Sequence, residues 1–106
     1  MTRELPAHER TDDDESLDMI LETLASQRQR YALQILHEYE TSLALADLAE
    51  EVAIREHNLP ITEISAEEVK RIYMSLYHNH IPNLEDATLV RYSQDADRIA
   101  LGESIA

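Results

Sequence analysis

The stretch from Ala66 to Leu101, AEEVKRIYMSLYHNHIPNLEDATLVRYSQDADRIAL, constrains the fold more than any other part of the chain. Ser65 stands just before it, with Glu67 and Glu68 following. This is a capping box, in which a hydroxyl meets orphan backbone N–H groups and fixes a helix start. Val69, Ile72, Tyr73, Leu76 and Tyr77 recur at helical spacing and face inward. Lys70, Arg71, Met74, Ser75 and His78 share the opposite face. Pro82 ends or kinks the helix, because it lacks an N–H and its ring crowds the preceding turn. Leu84 and Ala87 continue the apolar contact. Leu89, Val90 and Tyr92, then Ile99 and Leu101, flank the polar segment SQDAD, which reads as a β-hairpin around a glycine-free tip.

Upstream, residues 1–15 have no apolar period and carry four consecutive acids, Asp12 to Glu15, so a disordered acidic tail is expected. Ser16 is a good cap for a first helix with Leu17, Ile20, Leu21 and Leu24 on one face. Ser26 is a candidate cap for a second helix, with Tyr31, Ile35, Leu36 and Tyr39 buried. Thr41 to Leu43 is short and leans toward strand. Leu45, Leu48, Ala49 and Val52 outline a third helix, although Ala44 offers its start no side-chain cap. Asn58 to Ile64, with Pro60, reads as a connector. The ordered domain is expected over residues 16–101, and residues 102–106 as a frayed end.

Twenty-two acidic residues stand against nine basic ones, a formal charge of −13, and Lys70 is the only lysine. Acidic excess with almost no lysine fits a protein working in very high salt. There the Debye length falls to about 3 Å and self-repulsion is screened. An ordinary acidic protein with a charged tail is the plainer alternative. No cysteine is present, which removes disulfides and thiolate metal sites. No basic-then-apolar leader and no apolar run near ~20 residues suggests export or membrane insertion, so a cytoplasmic protein is expected.

The order is helix, helix, short strand, helix, helix, hairpin. That is a mostly α member of the α+β class: a winged helix-turn-helix of three to five helices with a small β-hairpin wing. Three segments carry a family resemblance: QRQRYALQIL, SLALADLAEEVA and KRIYMSLYHNHIPNLEDATLVRY. Together they resemble the haloarchaeal winged-helix domains of unknown function that are related to ArsR-like transcriptional regulators. The resemblance covers about residues 17–101. Its most specific part is the tyrosine-rich SLYxxHxPxLxxAGxV pattern, where this chain has Thr88 in place of the glycine. It implies a winged helix with a role in transcription.

In such a fold the helix over residues 65–80 would enter the major groove of double-stranded DNA, and the wing over residues 89–101 would lie beside the phosphates. Phosphates need cations or neutral donors. Lys70, Arg71, Ser75 and His78 are the candidates on the helix, Arg91 and Arg98 on the wing, and Arg28 and Arg30 on the second helix. Six of the nine cations thus fall where this fold meets DNA. The alternative for each is an ordinary solvated charge, and Glu67 and Glu68 oppose the contact. Leu17, Ile20, Leu21 and Leu24 are the expected homodimer interface, unless they close the monomer core.

No enzyme is expected. The single glycine, Gly102, rules out a phosphate-cradling loop, and the carboxylates fall on polar helix faces. No cofactor is called for. His78 and His80 are two apart on a helix and point in different directions, so no metal site is expected, even with Glu85 or His57 nearby. The competing function is an acidic winged helix that docks on another transcription factor or mimics DNA without binding it.

Overall fold

The computed structural model describes the backbone of residues 5–102 and the side chains from Ser16 to Gly102. The fold is mostly helical α+β, with a winged-helix-like layout. Helix α1 spans Leu5–Tyr39, α2 Leu45–His57, α3 Ala66–Ser75 and α4 Ile81–Asp86; strands β1 (Val90–Ser93) and β2 (Arg98–Leu101) form the hairpin.

The N-terminal region departs from expectation. Two helices separated at Ser26 were expected, and one continuous 35-residue helix is found. Ser26 lies exposed inside it. The cause is visible in the spacing. Leu17, Ile20, Leu21 and Leu24 continue through Arg28, Tyr31 and Ile35 at steps of three and four, so one stripe runs across the supposed junction. Backbone positions 5–15, expected as tail, belong to this helix. Residues 1–4 and 103–106 fall outside the described part.

Helices α2 and α3 form the helix-turn-helix. Ala44 makes no capping bond, and α2 ends at Asn58, whose left-handed conformation (φ 55°) lets its N–H reach the Ile54 carbonyl at 2.8 Å. A short 3-10 turn, Ile61–Glu63, leads to Ser65. The Ser65 hydroxyl accepts from the Glu68 N–H at 3.1 Å, which realises the first half of the capping box.

Pro82 does not stop the helical path. After α3 the chain widens into a π-turn, Leu76–His80, and re-enters α-geometry with the proline in the first turn of α4. The wider turn meets the missing donor: the Ile81 N–H bonds to Leu76 O instead of to the carbonyl four residues back.

The hairpin pairs Val90 with Leu101, Arg91 with Ala100, Tyr92 with Ile99 and Ser93 with Arg98. Its tip turns without glycine because Asp97 takes positive φ (52°). Leu43 forms a bridge with Ile99 through two backbone bonds of 2.9 and 2.8 Å, so the expected short strand joins the wing from the other side. Thr88, at the glycine position of the resembled pattern, sits at φ 61°. That conformation is free for glycine and strained for a β-branched residue.

The core gathers Ala32, Ile35 and Leu36 of α1, five residues of α2, Ile72, Leu76, Ile81 and Leu84, with Val90 and Ile99 from the wing. Tyr39, expected inside, is 45% exposed. Gly102, expected to fray, is buried, and its N–H bonds to Leu89 O at 2.8 Å. A Cβ there would meet Thr88 O at 2.3 Å, so only glycine fits beside that turn.

Candidate nucleic-acid interface

The open face of α3 is set by which positions the core claims. Ile72 is buried and Val69 and Tyr73 pack partly against the core. At 100° per residue this leaves Glu67, Lys70, Arg71 and Met74 on the outer side, and all four are exposed. Among the described residues Lys70 has no hydrogen bond or ion pair. Arg71 extends into solvent, with its side chain 70% exposed, and pairs with Glu68. The face therefore presents two cations flanking an acid and a methionine.

The other candidates divide sharply. Arg28 is engaged within the fold. Its Nη2 donates to Glu56 Oε1 at 2.7 Å, its Nε donates to Glu56 Oε2 at 2.5 Å, and its Nη1 donates to Ser75 Oγ at 3.1 Å. One guanidinium thus joins α1, α2 and α3, and its hydrogen bonding to the Glu56 carboxylate is the main reason its pKa is raised. Ser75, expected on the DNA-facing side, is the acceptor in this clamp. Arg98 is also engaged: its Nε donates to Ser42 Oγ at 3.0 Å and its Nη2 to Ser42 O at 2.7 Å, tying β2 to the segment before α2. Arg30 is exposed on α1 and has no ion pair among the described residues. Arg91 is exposed on β1.

His78 stands exposed at the end of the α3 path, its ring edge-on to Tyr77 at 5.0 Å. Tyr77 in turn meets Tyr92 of the wing edge-on at 6.4 Å. With Pro82, Glu85 and Gln94 these rings line an open cleft of about 470 Å³ between the π-turn and the wing. Gln94 at the wing tip donates to the Tyr77 hydroxyl, and the Tyr92 N–H donates to Glu85 Oε2 at 3.2 Å. The wing is thereby fixed in angle relative to α3. Burial, then the neighbouring Asp97, push the Tyr92 phenol up.

Two polar clusters lie behind the face. His57 Nε2 and Glu68 Oε2 are 3.0 Å apart, and this hydrogen bond is the largest cause holding the Glu68 carboxyl below its usual range. His80, 5% exposed, places Nδ1 3.1 Å from Gln29 Nε2. With the amide donating, the proton of the neutral ring lies on Nε2. Burial, and secondarily Arg28, lower the His80 pKa. Arg28 carried a readable signal: it lies four residues after Leu24 on the apolar stripe, where a solvated cation does not belong. For Gln29 with His80 no sequence signal exists, because the π-turn that aims His80 inward follows from no local pattern.

The family model DUF7344, described as a domain of unknown function, matches residues 21–100. The chain belongs to this family. The DUF7344 match takes in all eight candidate DNA-contacting residues and both members of the Arg28–Glu56 clamp, whereas Leu17 and Ile20 precede it. No curated protein and no solved structure matches the chain. Among the described residues no helix is long and apolar enough to cross a membrane.

Proposed function

We propose that this DUF7344 protein is a DNA-binding transcriptional regulator that reads the major groove with α3 and its π-turn, with the wing beside the adjacent backbone. The observation that carries the reading is the second helix of a helix-turn-helix holding Lys70 exposed, without a partner among the described residues, and Arg71 extended on its open side, in a chain with only nine cations. The resemblance to haloarchaeal winged-helix domains related to ArsR-like regulators supports it. So does the acidic composition, which suits a working medium of high salt. The candidate contacts narrow to Lys70, Arg71 and His78, with Arg30 at the periphery and Arg91 exposed on the wing. Arg28, Ser75 and Arg98 act instead as positioning residues that hold α3 and the wing in place.

The test is replacement of Lys70 and Arg71 by alanine. Neither supports the core, so stability should change by no more than ~0.5 kcal/mol each. Each should weaken binding by roughly 1–3 kcal/mol. Non-specific attraction cannot replace them, since the protein is strongly negative and salt screens what remains. A double variant that binds promoter DNA as well as the parent, by fluorescence anisotropy in high salt, would show that α3 is not the reading helix.

A second reading is favoured by one observation. Glu67 and the 42%-exposed Met74 lie at the centre of the same face, where a phosphate or base edge would have to approach. An acid beside an exposed methionine suits docking on another transcription factor. If the unaltered protein retains no fragment of its own genome, this reading takes precedence.

A further inference from the structure

The outer half of α1 is an arm. Its 35 residues extend about 52 Å at 1.5 Å per residue, and the longest dimension of the molecule is 61 Å against 34 and 23 Å across. The core claims α1 only from Ala32 onward. Before that, Leu17, Ile20, Leu21 and Leu24 are each 53–55% exposed, and Met19 67%. Most of the stability of a protein helix comes from covering its apolar face, and here that face is open.

We infer that the arm pairs with the arm of a second copy, antiparallel, about a two-fold axis between Ile20 and Leu21. Two independent observations point to this occupant. The first is the spacing of the stripe. From Leu17 the steps are three, one and three, which read the same in reverse. An antiparallel copy therefore meets the stripe residue for residue, Leu17 against Leu24 and Ile20 against Leu21, as a closed two-fold interface requires.

The second is charge. The four consecutive acids of residues 12–15 lie in the outer turns of α1, and the exposed Arg30, with no ion pair among the described residues, lies at the root of the arm. The antiparallel register sets residues 11–14, three of them acids, level with residues 27–30 of the other copy, which carry no acid and two arginines, so segments of opposite charge lie level at both ends. A parallel pair would set acid run against acid run, at an energy that like charges resist. Asp18 and Glu22 lie on the side of α1 away from Ile20 and Leu24 and stay in solvent.

The pairing is measured without DNA, so its outcome is independent of the function proposed above. Light scattering in multimolar KCl should give twice the chain mass at tens of micromolar. Ile20→Asp with Leu21→Asp should halve that mass. All five tyrosines are at position 31 or beyond, so an unchanged near-ultraviolet circular dichroism spectrum would show that the body remains folded. The direction is read by cross-linking, which the absence of native cysteine leaves clean. Under oxidation the Leu17→Cys, Leu24→Cys double variant should form covalent dimers. Leu17→Cys alone should not, because its sulfurs would be separated by seven residues, about 10 Å along the axis. A single-chain mass for the parent protein would overturn the pairing. Cross-linking of Leu17→Cys alone as fast as the double variant would overturn its antiparallel direction.

Discussion

Helix α1 carries one stripe with two fates. In its inner half Ala32, Ile35 and Leu36 are sealed to 0–1% exposure against α2 and the wing. In its outer half Leu17, Ile20, Leu21 and Leu24 repeat the same spacing and remain more than half exposed. Residue type and period are alike, so neither decides the difference. What decides it is whether another element lies opposite, and the body ends near Arg28. An amphipathic period states that a face needs covering; it does not state what covers it.

The largest expected effect breaks the two halves apart. Ile35→Ala removes a fully buried side chain among neighbours that relax only partly, and should destabilise the protein by about 2–5 kcal/mol. Leu21→Ala, made at a concentration where the chain is monomeric, should change stability by less than ~0.5 kcal/mol. Urea unfolding followed by near-ultraviolet circular dichroism measures both. Comparable losses at the two positions would mean that the arm is already covered within one chain.

At the boundary between the halves stands Arg28. Its side chain and that of Glu56 are 23% and 19% exposed, so water solvates each only in part. Arg28→Ala leaves the Glu56 carboxylate without its partner and Ser75 without its donor, and should destabilise by roughly 1–3 kcal/mol. Arg28→Lys should recover only a fraction, since an ammonium cannot grip Glu56 with two parallel donors and still reach Ser75. Full recovery by lysine in the same unfolding experiment would reduce the clamp to a simple ion pair.

Much of the body could be read from the chain because its signals are local. Ser65 caps α3 where the capping box placed it. The hairpin turns about SQDAD, and Leu43 joins it as the short upstream strand. The departures have two other origins. Two concern partners distant in sequence: Arg28 reads as a surface cation because Glu56 lies 28 residues away, and Gly102 reads as a loose end because the carbonyl it must avoid belongs to Thr88. The third is local: Ser26 suits a cap by residue type, and the stripe passing through it outweighs that preference. Thr88 illustrates the reverse: the departure from the resembled glycine was visible in sequence, and the positive φ shows what the glycine would have relieved. For the candidate interface, Lys70 and Arg71 are legible as the open side of a helix; the engagement of Arg28 is hinted at by its place on the stripe, and that of Arg98 is not legible, since it depends on a tertiary partner.

The smallest effect concerns the second contact at the root of the arm, Gln29 with His80. Burial holds the His80 ring neutral, with its pKa below the unfolded value of about 6.5, and Arg28 adds to that shift. Below pH ~6.5 the unfolded chain therefore binds a proton that the folded chain refuses. The stability linked to this residue is fully present above pH ~6.5, falls as pH drops below that value, and stops falling once pH passes below the folded pKa. Protonation also converts Nδ1 from acceptor to donor, which breaks its bond from the Gln29 amide. The loss begins in mildly acid pH, and Glu68, itself held below its usual range, stays ionised there. The measurement is the difference in unfolding free energy between the parent and His80→Gln, at fixed salt, from pH 7.5 to 5. Glutamine keeps an acceptor within reach of Gln29 and has no proton to gain. The parent should lose stability relative to the variant as the solution becomes acidic. A pH-independent difference would mean that His80 titrates as freely in the fold as in the unfolded chain, and that the inner half of α1 is held by its apolar packing and Arg28 alone.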